Sequence, residues 1–208
     1  MKYKVLATGS TGNATLIVGS RGTVIGIDEG LSGKKYLSLA ENAGIDLPSE
    51  LFITHSHSDH FNKGGIHVLQ RKKPALELIL GGGMYNYNEF TVTAFKVPHN
   101  VLNHGYIITD NDDGQSMVYI TDCSDYDYIY RHYKNILLDH DYYLIEANYD
   151  KRYLDNPDVI EQMGYKYNVF NSMLRHSSKQ DAIKFFAKCR GANSQLQFLH
   201  QSSRFFEF

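Results

Sequence analysis

Cysteine is nearly missing from this chain, with only Cys123 and Cys189 in 208 residues. Two thiols cannot make a disulfide framework, and their scarcity points to a reducing compartment. Proline is scarce too, at four, and neither a glycine–serine tract nor a repeat is present, which excludes a linker or a solenoid. No long hydrophobic run occurs; the apolar stretches of about five residues fall far short of a bilayer span. Met1 to Gly12 carries Lys2 and Lys4 without the apolar centre of a secretory signal. Excess charge is also lacking. Lys plus Arg is 21 against 23 for Asp plus Glu, a net −2, which argues against a basic nucleic-acid coat and an acidic disordered tail. The expectation is a soluble, cytoplasmic, single domain over residues 1–208, able to bury about 70% of its unfolded surface without staples.

Patterning predicts short strands at Lys4–Thr8, Ala14–Val18 and Thr23–Ile27, broken by glycine turns. A helix over Lys34–Asn42 closes at Gly44. Strand Leu51–Thr54, helix Ile66–Arg71 and strand Ala75–Leu80 follow, then strands Phe90–Val97, Tyr106–Thr109, Met117–Thr121 and Tyr142–Glu146. Ser178 and Asp181 read as a capping box opening a helix with Ile183, Phe186 and Ala187 as its apolar stripe and Gly191 as its stop. Gln195–Leu199 returns as strand. Two strand-rich halves, each finished by helices, imply an α/β (α+β) protein with two sheets and helices outside.

What the chain does have is histidine, ten of them. Three imidazoles and a carboxylate crowd into His55-Ser56-His57-Ser58-Asp59-His60. Three histidines at fixed offsets arise by chance on the order of 0.02 times in such a chain, and roughly 0.002 times with the Asp included. His55 and His57, two apart in an extended stretch, point the same way. Asp59 and His60 can address a second position. Imidazole and carboxylate without thiolate suit zinc, or manganese and iron where oxygen dominates. Four ligands are too few for two metals, and His99, Asp122 and His200 stand at further strand ends, where rigid scaffolds place sites.

In that order these residues resemble the metallo-β-lactamase fold superfamily, and the likeness runs through most of the chain from Gly9-Ser10-Thr11-Gly12-Asn13 onward. Gly30-Leu31-Ser32-Gly33-Lys34, Thr121-Asp122 and Glu146-Ala147-Asn148 are most similar to the YycJ-like group, and His176-Ser177 with His200-x-Ser202-x-Arg204 to ribonuclease Z and related phosphodiesterases. The resemblance implies a four-layer αββα sandwich and two divalent metal ions, zinc first and manganese or iron second. His55, His57 and His99 would hold one ion and Asp59, His60 and His200 the other, with Asp122 bridging. Asp59 and His176 would be catalytic, His176 by protonating the leaving group or stabilising its charge. The implied activity is a phosphodiesterase or nuclease using a metal-bridging hydroxide. The alternatives are hydrolysis of a lactone, thioester or β-lactam, or a non-catalytic binding module. Asn100 replaces an Asp common in relatives, and His176 is followed by two serines. The 38 residues between His60 and His99 leave no room for a large cap, so transfer RNA processing is not expected.

Other residues keep two readings. Asp28 can brace the site or form a turn, and Gly9 to Asn13 can line it or only make a hairpin. Glu146 can support a histidine or simply end a strand. Cys123, next to Asp122, should face away by strand alternation. His67, His104, His132 and His140 assemble no further site, and Arg71-Lys72-Lys73 reads as solvated. Eight of the sixteen tyrosines lie in Tyr126–Tyr153, where they can stack bases of single-stranded nucleic acid beside Arg and Lys, or wall a core or subunit interface. The wall is preferred.

Overall fold

The computed structural model describes residues 1–152, 158 and 173–202. The chain runs through β1 (Lys2–Ala7), β2 (Ala14–Val18), β3 (Val24–Ile27), α1 (Gly33–Ala43), β4 (Glu50–Phe52), α2 (Lys63–Lys72) and β5 (Glu77–Ile79). It continues with β6 (Met84–Asn86), β7 (Phe90–Val97), β8 (Asn103–Asp110), β9 (Ser116–Ile120), α3 (Tyr126–Leu137), β10 (Tyr142–Glu146), α4 (Lys179–Cys189) and β11 (Gln195–Leu199). One sheet is ordered β1-β2-β3-β4-β5, the other β11-β10-β9-β8-β7-β6. Hairpins set the antiparallel pairs β1–β2, β2–β3, β6–β7, β7–β8 and β8–β9. The parallel pairs β3–β4, β4–β5, β9–β10 and β10–β11 each need a longer crossover.

Three apolar layers result, as an αββα sandwich requires. Ile17, Ile25 and Phe52 of the first sheet meet Val92, Tyr106, Ile108 and Met117 of the second. Leu16 and Leu51 point the other way, onto Tyr36 and Ala40 of α1 and Ile66 and Leu69 of α2. Val118 and Ile120 likewise face Ile129 of α3 and Phe185 of α4. Both faces of the central strands are buried, so their sequences read as continuous apolar runs. Among the described residues no helix is long and apolar enough to cross a membrane.

Local chemistry sets most element ends. Gly44 closes α1 in the left-handed region (φ 64°), its N–H returning to Ala40 and Glu41. Ser178 Oγ accepts from Asp181 N at 3.1 Å and opens α4 as the capping pattern predicts. The stripe of α4 differs from expectation. Ala182, Phe185 and Cys189 are its buried residues, while Ile183 is 44% exposed. Gly191 is no left-handed stop either; a Cβ there would lie 1.6 Å from Asp139 Oδ1, so a larger residue would displace the Asp139 side chain. Helix α3 and strand β6 were not anticipated. In α3 Asp125 caps the start and Tyr126, Ile129 and Leu137 are buried, so four of the eight tyrosines read as a cluster belong to a packed helix.

Phe185 stacks on Tyr126 with ring centroids 4.8 Å apart and is 2% exposed. Phe185→Ala should cost about 3–5 kcal/mol in urea unfolding, whereas Ile183→Ala should stay within about 0.5 kcal/mol. Equal losses would contradict the assigned face of α4.

Candidate metal centre

The candidate residues leave the C-terminal ends of strands in both sheets. His55 to His60 follow β4, His99 follows β7, Asp122 follows β9 and His200 follows β11. The segment after β4 is shaped by its own backbone: His60 N and Phe61 N both donate to the His57 carbonyl, at 3.0 and 2.8 Å. Asn62 then caps α2 by accepting from Gly65 N at 3.0 Å. Among the described residues four non-glycines adopt positive φ, and three are at the centre: Asp28 (61°), Asp122 (51°) and His200 (49°). This left-handed step at a strand end is sterically costly for residues with a Cβ.

Seven side chains converge. His55 Nε2 lies 3.0 Å from His57 Nδ1, which lies 3.4 Å from His99 Nε2. Asp122 Oδ2 is 3.5 Å from both His55 Nε2 and His99 Nε2. On its other side, Asp122 Oδ1 is 3.2 Å from His60 Nε2 and 3.5 Å from His200 Nε2. Asp59 Oδ2 stands 3.6 Å from His60 Nε2 and 3.4 Å from His200 Nε2. Zinc–nitrogen bonds of 2.0–2.1 Å in a tetrahedron separate neighbouring donor atoms by about 3.4 Å. The observed spacings bracket that value, so both groups of atoms could hold a metal ion.

Outer partners fix the rings. Asp28 Oδ2 accepts from His60 Nδ1 at 2.7 Å, and Asn13 Nδ2 sits 2.9 Å from His60 Nε2. Thr54 Oγ1 is 3.0 Å from His55 Nδ1 and 2.9 Å from Asp28, so one carboxylate steadies two histidines. His99 Nδ1 donates to the Arg175 carbonyl at 3.3 Å. Glu146 Oε1 takes His176 Nδ1 at 2.6 Å and lies 3.2 Å from His200 Nδ1. Held outward at one nitrogen, each of these rings except His176 turns the other inward. His176 instead stacks on His200, with centroids 5.1 Å apart.

The electrostatics favour positive charge at the centre. Burial pulls the His60 imidazolium down, but Asp122 and Asp28 overcome it and push the group up to about 10. Burial drives Asp122 up, yet His200 and His60 hold it well below the usual carboxylate range. Away from the carboxylates burial wins: His55, desolvated and beside His60, falls to about 2. A cleft that retains protons next to carboxylates is one that a cation can fill.

All seven expected ligand types and His176 therefore meet in one cleft. Asp28 and Glu146 contact its histidines, and Asn13 ties the Gly9–Asn13 loop to it through the Asp59 carbonyl. Gly30 allows this approach, since a Cβ there would sit 1.7 Å from that carbonyl oxygen. Cys123 turns into the core as alternation predicts, its N–H donating to Glu146 Oε2 at 2.6 Å. Nothing in the sequence assigns Thr54 or Thr8 to the site, and Asn148 enters only through the Glu146-Ala147-Asn148 likeness. Thr8 Oγ1 accepts from His200 N at 2.6 Å, and Asn148 Nδ2 donates to the His200 carbonyl at 2.9 Å. The only signal for the two threonines is a place at a strand end. Tyr126 and Tyr143 are core residues, Tyr128, Tyr130 and Tyr133 pack against the same core, and Tyr153 and Arg204 lie outside the described residues. His132 and His140 make bonds elsewhere, and His67 is exposed.

No protein-family profile matches the chain. In sequence it is 28% identical over 235 aligned positions to the exodeoxyribonuclease WalJ of Streptococcus pneumoniae, covering 98% of this chain and 82% of that protein. It is 27% identical over 175 positions to the exodeoxyribonuclease YycJ of Bacillus anthracis, covering 72% and 64%. In structure it superimposes on the human short-form tRNase Z with a TM-score of 0.67 at 17% identity, covering 98% of this chain and 93% of that one. The metallo-β-lactamase fold protein YhfI of Bacillus subtilis gives 0.65 at 14% identity, covering 96% and 85%. This chain is a metallo-β-lactamase-fold protein, similar in sequence to the WalJ and YycJ exodeoxyribonucleases.

Proposed function

We propose that the chain is a metal-dependent phosphodiesterase acting on DNA, with two divalent ions in the centre described above. The observation that carries this reading is the division of Asp122, whose Oδ2 faces His55 and His99 while Oδ1 faces His60 and His200. His55, His57 and His99 would hold one ion and Asp59, His60 and His200 the other, with one oxygen of Asp122 available on each side. Five imidazoles and two carboxylates without thiolate suit zinc first, manganese or iron second. Bound there, such ions supply Lewis acidity and a hydroxide-strength nucleophile at neutral pH. Support for DNA as substrate comes from the activities named for WalJ and YycJ.

The chain's own residues do the rest. His176 donates from Nδ1 to Glu146, which leaves Nε2 to present a proton to the departing oxygen. Burial pulls its basicity down, but Glu146 raises it above the ordinary histidine range and favours that proton. Asp59, with its side chain 24% exposed, is the most open carboxylate of the set and can accept a hydrogen bond from the attacking water. Residues 1–208 act as one domain in this reading, and two buried free thiols suit a reducing cytoplasm.

Two measurements test it. Protein loaded with zinc or manganese should carry close to two ions per chain and unfold at higher temperature than after chelation; Asp122→Ala should retain one ion or fewer. A protein that stays metal-free would sink the reading. Bis(p-nitrophenyl) phosphate should be hydrolysed, with kcat falling roughly 10²–10⁴-fold in His176→Ala while metal content holds. Turnover of a lactone or nitrocefin without phosphodiester cleavage would move the activity to another ester or amide class.

A further inference from the structure

His104 has no part in the centre, yet it is only 7% exposed and faces a cavity of about 210 Å³ next to it. His55 forms one wall of that cavity, and Ile53, Phe61, Leu80 and Leu102 make most of the remainder. The space corresponds to about seven waters of bulk liquid, enough for one heterocyclic ring and too small for a long acyl chain. It lies where the open ends of the two sheets meet. Its frame is fixed from both sides: His104 N donates to the Thr54 carbonyl at 3.0 Å, Ile53 N to the Ile79 carbonyl at 3.0 Å, and Tyr106 Oη to the Ile53 carbonyl at 2.7 Å. The cavity is therefore formed before any ligand arrives.

Its mouth is apolar in a way the chain itself does not use. Leu80 is 58% and Leu102 is 66% exposed, two large aliphatic side chains on one opening. Single exposed leucines need no explanation, but a pair rimming a pocket does. Leu102 also borders a second cavity, of about 310 Å³, which has His99, Lys96 and Tyr128 in its walls. One leucine thus divides two cavities, each touching a histidine of the same ligand group. Burial holds the His104 imidazole below its ordinary basicity, and a neutral ring offers one hydrogen-bond donor and one acceptor.

We propose that the cavity beside His55 receives one nucleobase of the substrate, with Leu102 against its face and His104 at its polar edge. A slot with Ile53, Phe61, Leu80 and Leu102 on its apolar side and His104, Thr54 and Ser56 as polar lining fits a flat ring with a polar rim, and the shared His55 wall puts that ring within one nucleotide of the scissile phosphate. The neighbouring cavity, with an ammonium and an aromatic ring, suits the next nucleotide. The inference rests on the phosphodiesterase reading given above.

Two substrates separate the readings: the p-nitrophenyl ester of thymidine 5′-monophosphate and methyl p-nitrophenyl phosphate, which share a leaving group and differ by the nucleoside. Metal-loaded wild-type protein should prefer the thymidine ester in kcat/KM. In Leu102→Ser, and in Leu80→Ser with Leu102→Ser, that preference should fall about tenfold, mainly through KM. His104→Asn, which keeps a donor and an acceptor, should lose less of it than His104→Leu. Hydrolysis of both esters with a preference that none of these variants changes would overturn the nucleobase site and leave the phosphodiesterase standing. Failure of the wild-type protein on both esters would overturn the phosphodiesterase reading, and this one with it.

Discussion

Asp122 is a carboxylate with 2% exposure, set where the two sheets meet. A buried charge is tolerated only when it is paired or holds a cation. Much of the surrounding architecture follows from meeting that condition. Four of the five clustered histidines reach Asp122 directly, two on each oxygen. They come from β4, β7 and β11, so the pairing ties the end of the first sheet to the end of the second. The centre and the sandwich are one mechanical unit.

The outer carboxylates extend that link. Asp28 leaves β3 in the first sheet and Glu146 closes β10 in the second. Asp28 holds His60 directly and His55 through Thr54, whereas Glu146 holds His176 and His200. Each is buried and each accepts a backbone N–H as well, from Thr54 on Asp28 and from Cys123 on Glu146. Partners of this kind choose the tautomer, and therefore which nitrogen faces inward. The same arrangement, once in each sheet, gives the cleft its preference for positive charge.

Legibility in the sequence follows the range of the interaction. Strands β2, β7 and β10 match the predicted Ala14–Val18, Phe90–Val97 and Tyr142–Glu146 because apolar β-branched runs between turn residues are a local signal. The cluster from His55 to His60 was equally local, and its improbability alone marked it. His99, Asp122 and His200 could be picked as strand-end ligand types, and the family resemblance ordered them. Thr54, Thr8 and Asn148 could not, since a threonine or asparagine becomes a brace only when another strand arrives beside it. Helix α3 was hidden by its own composition: Tyr128, Tyr130 and Tyr133 pack only part of each ring on the core, so no clean apolar stripe appears. In α4 the cap is local and readable, but the buried face depends on where β10 lies: Ala182, Phe185 and Cys189 are buried, and of the predicted Ile183, Phe186 and Ala187 only Phe186 packs partly on the core.

The positive φ values at Asp28, Asp122 and His200 show how the two scales meet. A residue with a Cβ held there costs on the order of 1–3 kcal/mol, and nothing local in the sequence repays it. Asp28 gains a 2.7 Å bond to His60, Asp122 faces four imidazoles, and His200 has its N–H on Thr8 and its carbonyl on Asn148. Hydrogen bonds to charged groups stabilise by about 1.5–3 kcal/mol each and neutral ones by about 0.5–1.5 kcal/mol, so one ionic contact at Asp28 or Asp122, or the two neutral bonds at His200, matches the strain in size. A glycine would relieve the backbone but remove the ligand or its brace. The strained steps persist because the side chains they redirect are held from more than one strand, which is why the centre requires both sheets to be in place.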